Sequence, residues 1–202
     1  MAGLARLRAL GLTEKTWFNA LWFQSTWFLC VLGREALLPL TLAMFALHFA
    51  LVPSAAREFR QLLPVATLGI GVDAVLSALG IFDFGPVLLP IWLMALWFAF
   101  AVTLTRALAV FGRKPWIAGA VGSVGVPFNY WVGAKMGAVT LPLDLLTTGM
   151  ILVCVWALLL PLLYRVAGVT PEPSKQCPEL KTQRANPWPR PALLSCWPRP
   201  CY

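Results

Sequence analysis

The stretch LLPVATLGIGVDAVLSALGI, residues 62–81, decides how this chain folds. Asp73 is the one charged residue in it. A helix of about 20 apolar residues crosses the hydrocarbon layer of a bilayer, which is about 30 Å thick. The sequence therefore predicts a transmembrane helix over residues 62–81, with Pro64 in the first turn, where a missing N–H costs little.

Further apolar stretches lie on both sides of this segment. They predict helices over residues 17–33, 36–52, 87–111, 116–139 and 142–166, with a polar link at 54–61 and a turn at 83–86. Hydrophobic residues make up 59% of the chain and charged residues only 12%, whereas soluble domains carry about 25% charge. We therefore expect an all-α polytopic membrane protein. Residues 17–167 would form a bundle of six transmembrane helices after a cytoplasmic segment, 1–16.

The basic residues indicate how this bundle is oriented. With the N-terminus in the cytoplasm, the inner links and ends before the tail hold Arg6, Arg8, Lys15, Arg57, Arg60, Arg106, Arg113, Lys114 and Arg165, and the outer links hold Arg34 and Lys135. Lys and Arg favour cytoplasmic loops, so both termini are expected in the cytoplasm. Because these residues mark helix ends rather than one face, the net charge of +8 does not indicate nucleic acid as a partner.

The N-terminus and the cysteines predict neither cleavage nor a metal site. Residues 17–33 are crowded with Trp and Phe and offer no small-residue cleavage site, so this segment should remain as the first membrane anchor. The five cysteines show no CxxC or other metal-ligand spacing. We expect free thiols facing a reducing cytoplasm, and no metal or cofactor.

Residues 168–202 differ abruptly in composition from the apolar segments. Proline alternates there with Lys, Arg, Ser and Gln, a mixture that cannot bury enough apolar area to offset the entropy of ordering, so we expect a disordered cytoplasmic tail. Trp188-Pro-Arg-Pro191 recurs as Trp197-Pro-Arg-Pro200. The repeat fits either a polyproline-type ligand for a cytoplasmic partner or a dispensable extension.

Asp73 is the most unusual residue, because a carboxylate at the middle of a transmembrane helix costs roughly 2.5 to 3.5 kcal/mol. Gly69, Asp73, Ser77 and Gly80 share one face of the helix, where small residues let a neighbour approach closely. The carboxyl group could serve a function, or it could only join helices through hydrogen bonds.

The fifth predicted helix supplies a partner for this acid. Asn129 lies at about the same depth as Asp73, counting about 1.5 Å per residue from the cytoplasmic ends of their helices. Gly125, Asn129, Gly133 and Gly137 follow at four-residue spacing, as in tightly packed membrane helices. We therefore predict that the third and fifth helices pack together, with Asp73 and Asn129 in mutual reach.

The first two helices carry polar residues in their cytoplasmic halves. Asn19, Gln24 and Trp27 form a polar stripe in the first, and His48, the single histidine, lies in the second. A lone histidine cannot build a metal site, which favours a hydrogen bond between helices. No Ser-His-Asp set, HExxH or P-loop can be assembled, so an enzyme is the less favoured interpretation.

Four groups of residues resemble one family. They are Asn19, Gln24 and Trp27 at the spacing Asn-x4-Gln-x2-Trp, Gly71 and Asp73 as Gly-x-Asp, Pro90, Trp92 and Trp97 as Pro-x-Trp-x4-Trp, and Gly125, Tyr130, Gly133 and Gly137 as Gly-x4-Tyr-x2-Gly-x3-Gly. Over about residues 15 to 167 the chain resembles an uncharacterised family, a domain of unknown function, of small multi-pass inner-membrane proteins of Gram-negative bacteria. The resemblance implies architecture and location, and no activity.

Three functions remain open on the sequence. The first is transport or accommodation of a small or lipidic molecule in a polar pocket lined by Asp73, Asn129 and Gln24, with Asn19, His48 and Tyr130 as further candidates. The second is a membrane-embedded lipid-modifying enzyme, for which only His48, Asp73, Asp83 and Asp144 could act as acid or base. The third is an assembly subunit that packs against another membrane protein through Gly133 and Gly137. The expected location is the bacterial inner membrane, with the lipid bilayer as the general partner.

Overall fold

The computed structural model describes residues 11–169, and within them the chain is helical. A 3-10 turn at Leu12–Glu14 precedes the helices α1 Thr16–Gly33, α2 Leu38–Leu51, α3 Ala55–Ala78, α4 Ile91–Thr105, α5 Ala109–Gly112, α6 Pro115–Lys135 and α7 Leu145–Val166. The prediction of an all-α fold is confirmed for this part of the chain. The predicted proline-rich tail, from residue 170 onward, lies outside the described residues.

Helix α3 is longer than the sequence predicts. It begins at Ala55, so the predicted polar link at 54–61 is wrong, and Pro64 lies inside the helix rather than in its first turn. The backbone N–H of Glu58 donates to the carbonyl of Ser54 at 3.0 Å and closes the first turn. Ala, Arg, Glu and Gln, which dominate residues 55–61, all have good helix propensity. The polar residues of this stretch led to the prediction of a link outside the membrane. A helix can extend beyond the membrane, so polarity did not exclude a helix here.

The predicted fourth helix, residues 87–111, is shorter and broken. Helix α4 begins after Pro90 and ends at Thr105, and the single turn α5 follows at Ala109–Gly112. Arg106 leaves the helical conformation, with φ −124° and ψ −87°. Hydropathy does not show this break, because residues 107–111 are as apolar as those before it.

Hydrogen bonds between the ends of helices show that α1 to α4 alternate in direction. Arg106, after α4, bonds to the carbonyl of Thr13, before α1, and to Glu58, in the first turn of α3. At the opposite end, Asp83 after α3 and Thr140 before α7 exchange backbone hydrogen bonds of 2.9 Å. Arg34, after α1, donates to the carbonyl of Gly137, after α6. We call the end at which Thr13, Glu58 and Arg106 meet the arginine end.

Two of the described helices are long and apolar enough to cross a membrane. They are Ala55–Ala78 and Leu145–Val166, while Leu38–Leu51 and Ile91–Thr105 are shorter apolar helices. The other long helices, α1 and α6, are less apolar because Asn, Gln, Ser, Thr and Gly interrupt them. Six crossings and their orientation therefore stay predictions.

Two close approaches hold the interior together. The indole rings of Trp97 on α4 and Trp156 on α7 stack with centroids 5.6 Å apart and an angle of 7°. Helix α6 packs along α7 at Gly122, where a Cβ would lie 2.5 Å from the carbonyl oxygen of Trp156. Glycine at this position thus lets the two backbones approach.

Candidate functional site: a buried carboxylate beside an apolar cavity

The carboxyl group of Asp73 joins three helices. Asp73 lies on α3 and has no exposed surface. Trp97 on α4 donates from Nε1 to Oδ2 at 2.7 Å, and the hydroxyl of Tyr130 on α6 lies 2.7 Å from both carboxyl oxygens. These are charge-neutral hydrogen-bonding groups, and among the described residues no basic side chain forms an ion pair with Asp73. The negative charge of an ionised Asp73 is therefore shared by hydrogen bonds and balanced by no counter-ion.

Neighbouring residues on α3 and in the following loop keep this arrangement in place. Gly69, one turn before Asp73, lies against Trp97, because a Cβ at Gly69 would fall 2.1 Å from the indole ring. Phe82, after α3, stacks on the ring of Tyr130 with centroids 4.5 Å apart and an angle of 13°. Ser77 donates to the carbonyl of Phe82 at 3.4 Å and ties this loop back to α3. Gly69, Asp73 and Ser77 make these contacts from α3, whereas Gly80, the fourth residue of the predicted face, lies past the end of the helix with φ +74°.

A cavity of about 330 Å³ lies next to the hydrogen-bond partners of Asp73. Helices α1, α4, α6 and α7 and three loops form its wall, which consists of Phe23, Trp27, Val31, Phe84, Trp92, Leu93, Leu96, Trp97, Phe100, Leu108, Val121, Gly125, Val126, Asn129, Tyr130, Gly133, Ala138, Val139, Trp156 and Leu160. Ligand sites typically enclose roughly 300 to 1,000 Å³. The cavity is therefore large enough for a small molecule or part of a lipid chain.

The wall of this cavity is apolar, whereas the sequence predicted a polar pocket. Eight of the twenty lining residues are aromatic, and none is charged. Its polar groups are the amide of Asn129, the hydroxyl of Tyr130 and the N–H groups of the indole rings. Asp73 itself is not in the wall, since Trp97 and Tyr130 occupy the positions between the carboxyl group and the cavity. The acid predicted from the sequence lies behind the wall, and the aromatic side chains in front of it were not predicted.

The predicted partner of Asp73 is replaced by its neighbour. Asn129 contributes to the cavity wall, but its Nδ2 donates to the carbonyl of Gly125 at 2.7 Å within its own helix. Tyr130 makes the contact with Asp73 instead. Consecutive residues point about 100° apart around a helix, so equal depth in the membrane did not determine which of the two faces α3.

The polar candidates of the first two helices lie apart from this cavity. Asn19 is buried, and its Nδ2 donates to the carbonyls of Thr13 at 2.7 Å and Lys15 at 3.2 Å, which anchors the turn before α1. His48 is buried near the end of α2, with Nε2 3.3 Å from Oε1 of Glu58. Gln24 is exposed and does not line the cavity. The predicted pocket of Asp73, Asn129 and Gln24 is therefore wrong for Gln24, and Asn19 and His48 lie outside the cavity wall. The hydrogen bond between helices that the sequence favours for His48 is present, from α2 to Glu58 on α3.

The glycines of α6 also divide differently from the prediction. Gly125 and Gly133 have no atom of another element within 4 Å of a Cβ, and both line the cavity, so they leave space rather than pack. Gly137 lies past the helix with φ +72°, a conformation that favours glycine. The close packing of α6 is at Gly119 and Gly122 against α7. The four-residue spacing identified small residues on one face of α6. It could not show which face of α6 packs against α7.

Sequence analysis missed a second polar site, the arginine cluster, which comprises Glu14, His48, Glu58 and Arg106. Arg106 binds Glu58 in a bidentate manner, with Nη2 2.8 Å from each carboxyl oxygen, and Nη1 lies 3.1 Å from Glu14. The side chains of Arg106 and Glu58 are 15% and 13% exposed. Burial by itself would lower the pKa of Arg106, but the hydrogen bonds and charge of Glu58 outweigh this effect and raise it.

One signal could have pointed to this cluster. Glu58 is an acidic residue among the basic residues of the predicted cytoplasmic side, and Arg106 interrupts an otherwise apolar stretch. The two residues are 48 positions apart, so only knowledge of which helix ends meet could pair them. Trp97 belongs to a motif already noted in the sequence, but nothing in the sequence showed that it bonds to Asp73.

The fold and the site define a small helical protein with two helices suited to a membrane and a buried acid beside an aromatic cavity. The chain belongs to a family of proteins of unknown function, DUF2878, whose model matches residues 16–162. The resemblance expected from the sequence motifs is thereby confirmed at the level of an uncharacterised family. No curated protein and no solved structure matches the chain.

Proposed function

We propose that this protein is an integral protein of the bacterial inner membrane that accommodates a small or lipidic molecule in the cavity between α1, α4, α6 and α7. In this proposal the chain crosses the membrane six times, with both ends in the cytoplasm. The cavity is the single observation that carries the binding role. Its apolar aromatic wall with a few polar groups is typical of sites for small ligands.

The distribution of charge supports the proposed orientation. At the arginine end of the described residues lie Lys15, Arg57, Arg60, Arg106, Arg113 and Lys114, whereas Arg34 and Lys135 lie at the other end. Lys and Arg are enriched on the cytoplasmic side of membrane proteins. Alternation of α1 to α4 also agrees with successive crossings.

Labelling of introduced cysteines tests this orientation. Leu88→Cys and Ser54→Cys place thiols at exposed positions of opposite ends. In a background with the native cysteines replaced by serine, a membrane-impermeant maleimide added to cells whose outer membrane has been permeabilised should label Leu88→Cys and leave Ser54→Cys unlabelled until the inner membrane is opened. Labelling of Ser54→Cys in closed cells would contradict the orientation.

Filling the cavity tests the binding role. A neutral bromine-labelled alkane should quench tryptophan fluorescence in the purified protein, because Trp27, Trp92, Trp97 and Trp156 line the cavity. Gly125→Leu places a side chain in the open space of the cavity and should reduce this quenching strongly. Gly71→Leu is the matched control, since Gly71 is exposed, does not line the cavity and has the same open surroundings. Equal quenching in both variants would contradict a ligand site in the cavity.

The arrangement favours binding over the two other functions. All four candidate acids and bases for an enzyme have structural partners. Asp73 contacts Trp97 and Tyr130. His48 contacts Glu58, Asp83 accepts from the backbone N–H of Gly85 at 2.8 Å, and Asp144 caps α7. A subunit contact through Gly133 and Gly137 would need these glycines on one exposed face. Gly133 is buried beside the cavity, and Gly137 lies in a turn.

A further inference from the structure

The carboxyl group of Asp73 lies directly behind the wall of the cavity. Asp73 accepts hydrogen bonds from the indole N–H of Trp97 and lies within hydrogen-bond distance of the hydroxyl of Tyr130, and both of these residues line the cavity. Trp97 can only donate, which suits an ionised carboxylate. A buried charge is costly unless an opposite charge accompanies it. Among the described residues no cation takes this place.

The aromatic wall of the cavity also favours a positively charged ligand. Aromatic rings carry negative potential on their faces and attract cations, most strongly where water is excluded. Eight aromatic residues line the cavity, four of them tryptophans, and Lys, Arg and His are absent from the wall. No positive side chain of the wall would repel a cation or already neutralise the carboxylate.

We propose that the cavity binds an organic cation with an apolar body, such as a quaternary ammonium compound, and that Asp73 supplies the counter-charge through Trp97 and Tyr130. The inference rests on the proposed binding function and adds the chemical class of the ligand. Hydrogen bonds from the indole and the phenol to a carboxylate leave both rings richer in electrons, so the charge of Asp73 reaches the cavity without direct contact. Asp73 is therefore a positioning residue, and the aromatic side chains contact the ligand.

A pair of probes that differ only in charge tests the inference. Phenyltrimethylammonium and tert-butylbenzene have almost the same shape, with nitrogen in the cation replaced by carbon in the neutral compound. Binding to the purified full-length protein is measured by tryptophan fluorescence, with protein-free micelles as the blank for each probe. We expect the cation to bind about tenfold more tightly or better, since cation–π contacts in desolvated sites reach that magnitude.

Two variants assign this preference to Asp73. Asp73→Asn keeps the shape, and its amide oxygen can still accept from Trp97 while its NH2 group can donate to the hydroxyl oxygen of Tyr130. It should remove most of the preference for the cation while leaving the neutral probe unchanged. Asp144→Asn removes the same charge at an exposed residue outside the cavity, and asparagine can still cap α7. This control should keep the full preference.

The outcomes separate the two proposals. If neither probe binds, the proposed ligand site itself is wrong. If both bind with equal affinity to the natural protein, the site stands and the cationic ligand is refuted, and this comparison needs no variant to fold. If the cation is preferred equally by the natural protein and Asp73→Asn, the role of Asp73 is refuted.

Discussion

Two carboxyl groups with little or no contact with solvent contrast sharply in this molecule. Glu58, in the arginine cluster, has a bidentate cationic partner in Arg106 and a further contact with His48. Asp73, behind the cavity, has Trp97 and Tyr130 as its hydrogen-bond partners among the residues that the structure describes. The first carboxylate is neutralised by the fold, so its contacts tie helix ends together. For the second, we propose that a cationic ligand balances the charge. The contrast shows that burial of an acid does not by itself indicate a site, because its partners decide the role.

Removing Arg106 should have the largest effect on stability. Arg106→Gln leaves Glu58 largely buried without its cation, and breaking buried pairs in this way costs about 3 kcal/mol of unfolding free energy. The measurement is denaturant unfolding of the detergent-solubilised protein. Arg60→Gln is the control, because exposed Arg60 donates only to the carbonyl of Ala56 in its own helix. A loss no larger than that of the control would mean that the cluster does not hold the helix ends.

An intermediate effect is expected at Tyr130. Tyr130→Phe keeps the ring stacked on Phe82 but removes a hydrogen bond to the buried carboxyl group, which should cost about 2 kcal/mol. Tyr164→Phe is the matched variant, since its hydroxyl donates at 2.7 Å to the neutral carbonyl of Leu108. We expect a loss of only about 1 kcal/mol there. Equal losses in thermal or denaturant unfolding would argue against an ionised Asp73.

The smallest effect is expected at Asp144, an exposed carboxylate that serves as a reference for the two buried ones. Its Oδ1 accepts from the backbone N–H groups of Thr147 at 3.0 Å and Leu146 at 3.1 Å, and the hydrogen bonds from Thr147 in particular lower the pKa of Asp144. A lowered pKa in the folded state stabilises the protein above the unfolded value of about 3.9 and ceases to do so as the pH falls through the folded value.

Asp144→Ala should therefore lower the melting temperature slightly at neutral pH, and the difference from the natural protein should shrink below about pH 4. Asp144→Asn should retain most of the cap at every pH. A difference that persists unchanged in acid would mean that the cap does not act through its charge.

The sequence predicted the elements well and their partners poorly. Apolar length located the helices, and Asp73 stood out because a charge in such a segment is rare. The helical start of α3 at Ala55 was missed because a polar segment can be either helix or link. The break at Arg106 was missed because the residues on both sides are equally apolar.

Only part of the site was predicted, because the sequence does not show which side chains of neighbouring helices meet. Periodicity and depth place a residue along a helix, but they do not give the rotation of that helix relative to its neighbours. This limit explains why Asn129 rather than Tyr130 was matched to Asp73, and why the line of Gly125 and Gly133 was taken for the packing seam. The pair of Glu58 and Arg106 depends on which helix ends meet, and no local pattern contains that information.

The fold balances the charge of Glu58 and leaves that of Asp73 without a counter-ion among the described residues. The most direct test compares the unfolding free energies of Glu58→Gln and Asp73→Asn under identical conditions. Glu58→Gln leaves Arg106 without its bidentate partner and should lose about 2 to 3 kcal/mol, whereas Asp73→Asn should change stability by less than about 1 kcal/mol or increase it. An equal or larger loss for Asp73→Asn would show that the structure itself already satisfies this carboxylate, and it would contradict the account.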